Sequence, residues 1–268
     1  MLRQAIAWNS SAFQSAIIAG PAIGGLLWLL GGVAVFATSA ACFLVTLALI
    51  ALVAPRPPTG GREPASWARV IAGFTFIRSR PVIMGAISLD LVAVLLGGAT
   101  ALLPIFARDI LAIGPSGLGM LRAAPAVGAV SMALFLARFP LERNAGRTML
   151  VAVGIFGAAL TGFGLSTSLL LSLFCLAVSG AADMISVVVR QTLVQLETPD
   201  EMRGRVAAVN TVFIGASNEL GEFESGVLAG LIGTVPAVVA GGVGTMIVAG
   251  LWGRLFPELR DRDRLAPD

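Results

Sequence analysis

The chain has 268 residues, of which 57% are hydrophobic and only 12% charged, with a mean hydropathy of +0.91. That is too little polar surface for a soluble globular domain. All 18 basic residues are arginine and histidine is absent, which removes the most versatile acid–base and metal-binding side chain.

Runs of about 20 apolar residues mark transmembrane helices. Eight are expected: Ser11–Leu30, Val33–Val53, Val82–Phe106, Gly117–Leu136, Met149–Leu165, Leu169–Val189, Val206–Ile232 and Val235–Gly253. This is an all-α integral membrane protein. No cleavable signal peptide is recognisable, since Met1–Gln14 carries only Arg3 before the first span. Ala54–Ser66 holds four prolines, two glycines and three charges and reads as a linker. The chain divides accordingly into residues 1–53, a cytoplasmic linker at 54–80, a six-helix block at 81–256 and a tail at 257–268. Within the linker, Trp67, Val70, Ile71, Phe74 and Ile77 fall on one helical face. That helix either lies in the membrane interface or packs on its neighbours. Cys42 and Cys175 stand alone in apolar runs, so neither a metal site nor a disulfide framework is indicated, and no cofactor is implied.

Arginine placement sets the orientation. With the amino terminus in the cytoplasm, the inner side receives 16 of the 18: Arg3, Arg56, Arg62, Arg69, Arg78, Arg80, Arg138, Arg143, Arg147, Arg190, Arg203, Arg205, Arg254, Arg260, Arg262 and Arg264. Only Arg108 falls outside, and Arg122 lies within a span. The positive-inside rule therefore places both termini in the cytoplasm. The basic balance is a topology signal with the lipid bilayer as partner, and no nucleic acid is implied.

The stretch Arg203–Gly233 can cross a bilayer yet carries Asn218, Glu219, Glu222 and Glu224 in its middle. Carboxylates at that depth cost a few kcal/mol or more and face a polar cavity or a partner. The other ionisable residues within spans are Asp90, Arg122 and Asp183. Glu219 and Glu222, one turn apart, are read as candidate proton-binding or substrate-contacting carboxylates with Arg122 as their partner. Glu224 points well away from Glu219. The plain reading of all these residues is static ion pairs that pin helix packing. Thr198-Pro199-Asp200-Glu201 reads as a capping box that starts this helix.

A shift of 201 residues aligns Asn9, Gly20, Gly25, Leu27 and Gly32 with Asn210, Gly221, Gly226, Leu228 and Gly233. Two copies in the same orientation, six spans apart, are the sign of a transporter built from two six-helix halves. The first two spans would then be the fifth and sixth of a first half, and the rest a complete second half. RQAIAWNSSAFQSAIIAGPAIGGLL, LLPIFARDIL, GLGMLRAAPAVGA, TPDEMRGRVAAVN and GASNELGEFESG together resemble the major facilitator superfamily, in its enterobactin-exporter-like, transmembrane secretion effector branch. The resemblance implies a bundle whose cavity opens alternately to each side, usually driven by protons, in a bacterial inner membrane. It implies export of a small-molecule substrate such as a siderophore, a drug or another amphipathic compound. Gly20, Pro21, Gly24 and Gly25 resemble the antiporter motif of the fifth helix, with Ala16 where that motif has glycine. Ala137–Arg147 resembles the family's loop between helices eight and nine, where Arg143 or Arg147 would latch one state or anchor topology. The first four helices of the resembled fold have no counterpart here. A non-transporting membrane protein, completed by a missing N-terminal half or a partner subunit, is therefore the competing expectation. A membrane-embedded enzyme is a distant third, because no loop offers a catalytic cluster.

Overall fold

The computed structural model describes Gly20, Ile23, Gly24, Leu27 and residues 30–52, 67–141 and 143–263, and these form helices and turns with no strand. In chain order the helices are α1 (Gly32–Ala51), α2 (Trp67–Arg78), α3 (Pro81–Leu96), α4 (Gly114–Arg138), α5 (Ala145–Leu165), α6 (Leu169–Glu197), α7 (Asp200–Ile232), α8 (Thr234–Leu255) and the single turn α9 (Pro257–Arg260). Between α3 and α4 the chain continues through a 3-10 turn at Ala99–Leu102, an α turn at Leu103–Ile105 and a π segment at Phe106–Ile110. Six helical stretches among the described residues are long and apolar enough to span a membrane. Helix α7, at 33 residues, is also long enough, but its acids set it apart. Most of the expected first span lies outside the described residues.

Helix α6 stands between α4 and α5, α5 packs on α8, and α3 meets α6, α7 and α8. Lipid is as apolar as leucine, so these helices associate through close packing rather than escape from water. Small residues supply it. A side chain on Gly180 of α6 would strike the backbone of Pro125 in α4, and one on Gly128 of α4 would strike the backbone of Ala177 in α6. Larger side chains fill the remaining layers. Phe106 and Phe163, both fully buried, stack with centroids 4.5 Å apart at one end. Met149, Leu193 and Leu259 are buried in the cluster at the other.

Helix α2 packs along α7. Ile77, 1% exposed, joins Ile83, Val206 and Val209, and Phe74 stands 6.2 Å from Phe213. This face of the linker helix packs on a neighbour, while Ile71 remains exposed.

Two expected helix ends are corrected. Helix α6 does not stop at Val189 but runs eight residues further, so Arg190 is inside the bundle and only 3% exposed. The capping box before α7 does not form. Thr198 closes α6, its buried Oγ1 has no partner, and Pro199 precedes the first helical residue.

The internal repeat has a backbone signature. Gly31 before α1 has φ 98° and ψ 156°, and Gly233 before α8 has φ 93° and ψ 158°. Both conformations favour glycine. The structural match is Gly31 with Gly233, one residue from the pairing read in the sequence.

The tail folds back onto α5. The Asn144 N–H donates to Asp263 Oδ1 at 3.0 Å, and the Ala145 and Gly146 N–H groups donate to the Asp263 and Arg262 carbonyls at 3.2 Å. Three otherwise orphaned donors of a helix start are thus satisfied. Arg262 also reaches Glu197 of α6 at 2.7 Å. By contrast, Arg143 and Arg147 stand 3.9 and 3.8 Å from Asp263 and Asp261 and are well exposed, so those pairs contribute little. The tail is held to the start of α5 mainly by these backbone groups. Asp263→Ala should therefore cost about 1 kcal/mol, the usual value of a lost cap, while Arg143→Ala stays within about 0.5 kcal/mol. Thermal unfolding in detergent reads both, and equal effects would contradict the assignment.

Candidate functional site

Helix α3 ends where Gly97 donates its N–H to the Ala93 carbonyl at 2.9 Å, and the chain turns tightly, with Ala99 N–H on the Gly97 carbonyl at 2.7 Å. Irregular backbone at membrane depth persists only where protein covers it or it lines a cavity. Here both conditions hold. One side is covered by α7, because a side chain on Gly98 would strike the Gly221 carbonyl and Ser225. The other side faces a cavity of about 220 Å³, lined by Gly97–Thr100 of the break, Pro125 of α4, Phe156 and Leu160 of α5, and Ser179, Gly180 and Asp183 of α6. Helix α7 borders it with Asn218 and Glu222, both exposed. The site is a largely apolar cavity with polar side chains from the break, α6 and α7, the general form of a small-molecule site.

Asp183 also lines a second void of about 10 Å³, together with Asp90 of α3 and Ser186. Asp90 does not reach the large cavity. Its carboxylate lies 3.3 Å from Arg190 Nη2, and both side chains are less than a tenth exposed. Arg190 Nη1 donates to Asn210 Oδ1 of α7 at 3.0 Å. Three helices are thereby pinned through one guanidinium.

Residues 1–266 match the sequence model of the transmembrane secretion effectors. The chain belongs to that family, within the major facilitator superfamily. It is 30% identical over 262 residues to the protein named enterobactin exporter EntS from Escherichia coli O1:K1, from Escherichia coli O45:K1 strain S88 and from Shigella boydii serotype 18. Each alignment covers 97% of this chain and 62% of the exporter. The chain thus spans less than two thirds of the length of these curated relatives, and it is a multi-pass membrane protein of the same transporter family.

Within this transmembrane secretion effector the expected site residues divide. Asn218, Glu222 and Asp183 meet at the cavity. Glu219 and Glu224 do not line it; Glu219, like Asn218 and Glu222, is exposed, and Glu224 is half-buried. Asn218 and Glu222, one turn apart, are the pair on α7 that lines the cavity, and Glu219 is turned by about 100° from Asn218. Helix α4 packs through Gly117, Leu121, Ala124 and Gly128, which leaves Arg122 exposed on another face. No ion pair or hydrogen bond joins it to Glu219 or Glu222 among the described residues. Among the described residues nothing lies within 4 Å of a side chain added at Gly20 or Gly24, and Pro21 and Gly25 lie outside the described residues.

Arg190, counted by sequence among the cytoplasmic arginines, is instead buried and ties α6 to Asp90 of α3 and Asn210 of α7. The available signal was its position seven residues after Asp183 on one helix, which puts both on nearly the same face.

Proposed function

We propose that this protein forms the second half, with part of the first, of a secondary active exporter in a bacterial inner membrane, both termini facing the cytoplasm. It moves small amphipathic molecules outward by alternating access in exchange for protons. The convergence of Asp183, Asn218 and Glu222 on one cavity beside the broken helix carries this reading. The cavity offers apolar walls for the body of a substrate and two carboxylates for a proton or a polar substituent. The relatives' name makes a siderophore of the enterobactin type the first substrate to test. In this proposal Glu222 exchanges protons with the cavity, and Asn218 beside it orients the substrate by hydrogen bonding.

The test is efflux from proteoliposomes under an imposed pH gradient. Glu222→Gln should reduce gradient-driven efflux at least tenfold, a loss of about 1.4 kcal/mol or more in coupling. Transport unchanged in that variant would remove Glu222 from the mechanism. The share of the exporters' length covered by this chain, 62%, favours a second reading, in which the cavity is completed by an N-terminal half or a partner subunit. Efflux by this chain alone would exclude it, and efflux only after co-expression with such a half would establish it.

A further inference from the structure

Three charges within the spans stand exposed and unpaired among the described residues: Glu219 and Glu222 of α7 and Arg122 of α4. Charges at membrane depth are costly against lipid and face water or a partner. Helix α7 packs on the break after α3 through Gly221 and Ser225, which leaves its opposite face uncovered. Gly215, Glu219, Glu222, Gly226 and Gly230 follow one another at intervals of three or four residues and form an exposed stripe along that face. A side chain added at Gly215, Gly226 or Gly230 meets nothing within 4 Å. Glycines four residues apart let a second helix approach closely.

The opposite charge lies on the same side of the molecule. Arg122 is one turn from Pro125, which lines the same cavity as Glu222. The start of α4 and the end of α7 share one apolar cluster, through Leu118 and through Leu228 and Ala229. Measured from those ends, Arg122 is about 12 Å deep and Glu222 about 15 Å deep. Within one chain no ion pair joins them, although their depths and charges match.

We propose that a second copy of this chain covers the face, with Arg122 of each copy set against the Glu219–Glu222 pair of the other. The arginine bias of the loops inserts both copies the same way round, so they associate about a two-fold axis along the membrane normal. In such an isologous contact α7 of each copy meets α4 of the other, and the charge pairing occurs twice. The glycines bring the helices close enough for it. One arginine facing two acids leaves one carboxylate per copy to the cavity, which thereby gains a basic group from the second chain. The interface deepens the second reading above and rests on it, since it names the partner subunit that completes the cavity.

Photobleaching of the full 268-residue chain, labelled once at its carboxyl terminus in liposomes of decreasing protein-to-lipid ratio, tests it. The unsubstituted chain should bleach in two steps. Arg122→Glu should raise the dissociation constant at least tenfold, as should Glu219→Arg combined with Glu222→Arg. These two variants, each monomeric alone, should pair with one another when mixed, because both contacts then join opposite charges. Gly226→Leu adds a side chain in open space, so it should keep the helicity of the parent and lose pairing; it decides alone should the charge variants fail to fold. One-step bleaching of the unsubstituted chain at every ratio overturns the proposal. So do dimers that withstand both Arg122→Glu and Gly226→Leu, or pairing only with a co-expressed N-terminal half. Dimers without efflux in the same liposomes would defeat the exporter reading and leave the interface standing. Gradient-driven efflux from liposomes holding only monomers would defeat the interface and leave the exporter.

Discussion

Replacing Arg190 by methionine should be among the most damaging single changes to the fold. It leaves Asp90, 7% exposed, without its cation and Asn210 without its donor. Removing one member of a buried ion pair costs about 3–5 kcal/mol, because the remaining charge stays buried and unpaired. The double variant Arg190→Met with Asp90→Leu should recover most of that loss, since two apolar residues in place of a buried pair are often tolerated. Thermal unfolding in detergent, with helicity as the readout, checks both. A single variant within about 1 kcal/mol of the parent would show that water or lipid headgroups reach Asp90, contrary to its burial.

A smaller but still large effect is expected from a single methyl group at Gly180. An added Cβ there meets the carbonyl, the carbonyl carbon and the Cα of Pro125. These are backbone atoms and cannot move aside as the tip of a side chain can. Helices α4 and α6 would separate, and overpacking of this kind costs about 1–3 kcal/mol. The cavity, lined by Pro125 and Gly180, would change shape in the same step. Gly154→Ala on α5 is the control, because nothing lies within 4 Å of its added side chain. Its stability should stay within about 0.5 kcal/mol of the parent. Equal behaviour of the two variants in unfolding would contradict the close approach at Gly180.

These two sites mark where the sequence was legible and where it was not. Gly180 sits in an apolar stretch read as a span, yet nothing in the sequence says that Pro125 is the residue it meets. Asp90 and Asp183 stood out as carboxylates at membrane depth, which is a property of each residue and its span. Arg190 did not stand out, because apolar length alone ended its helix at Val189, whereas packing against α3 and α5 extends it to Glu197. The repeat was legible as spaced glycines, but the shared backbone geometry falls on Gly31 and Gly233. Similarly, the arginines of the loop at 137–147 were visible, while the cap on α5 is made by the tail.

By itself the sequence determined that this is a multi-pass helical membrane protein and that unusual acids lie on particular helices. Apolar run length and charge position suffice for that, because the bilayer imposes them on every span separately. The tertiary structure decided which acids act together. It joined Asp183 with Glu222 at one cavity, Asp90 with Arg190 beneath it, and set Arg122 apart from both. Helical periodicity fixes the face of its own helix that a side chain occupies. It does not fix which neighbour that face meets, and Asp90 and Arg190 are brought together across the packing of α3 on α6.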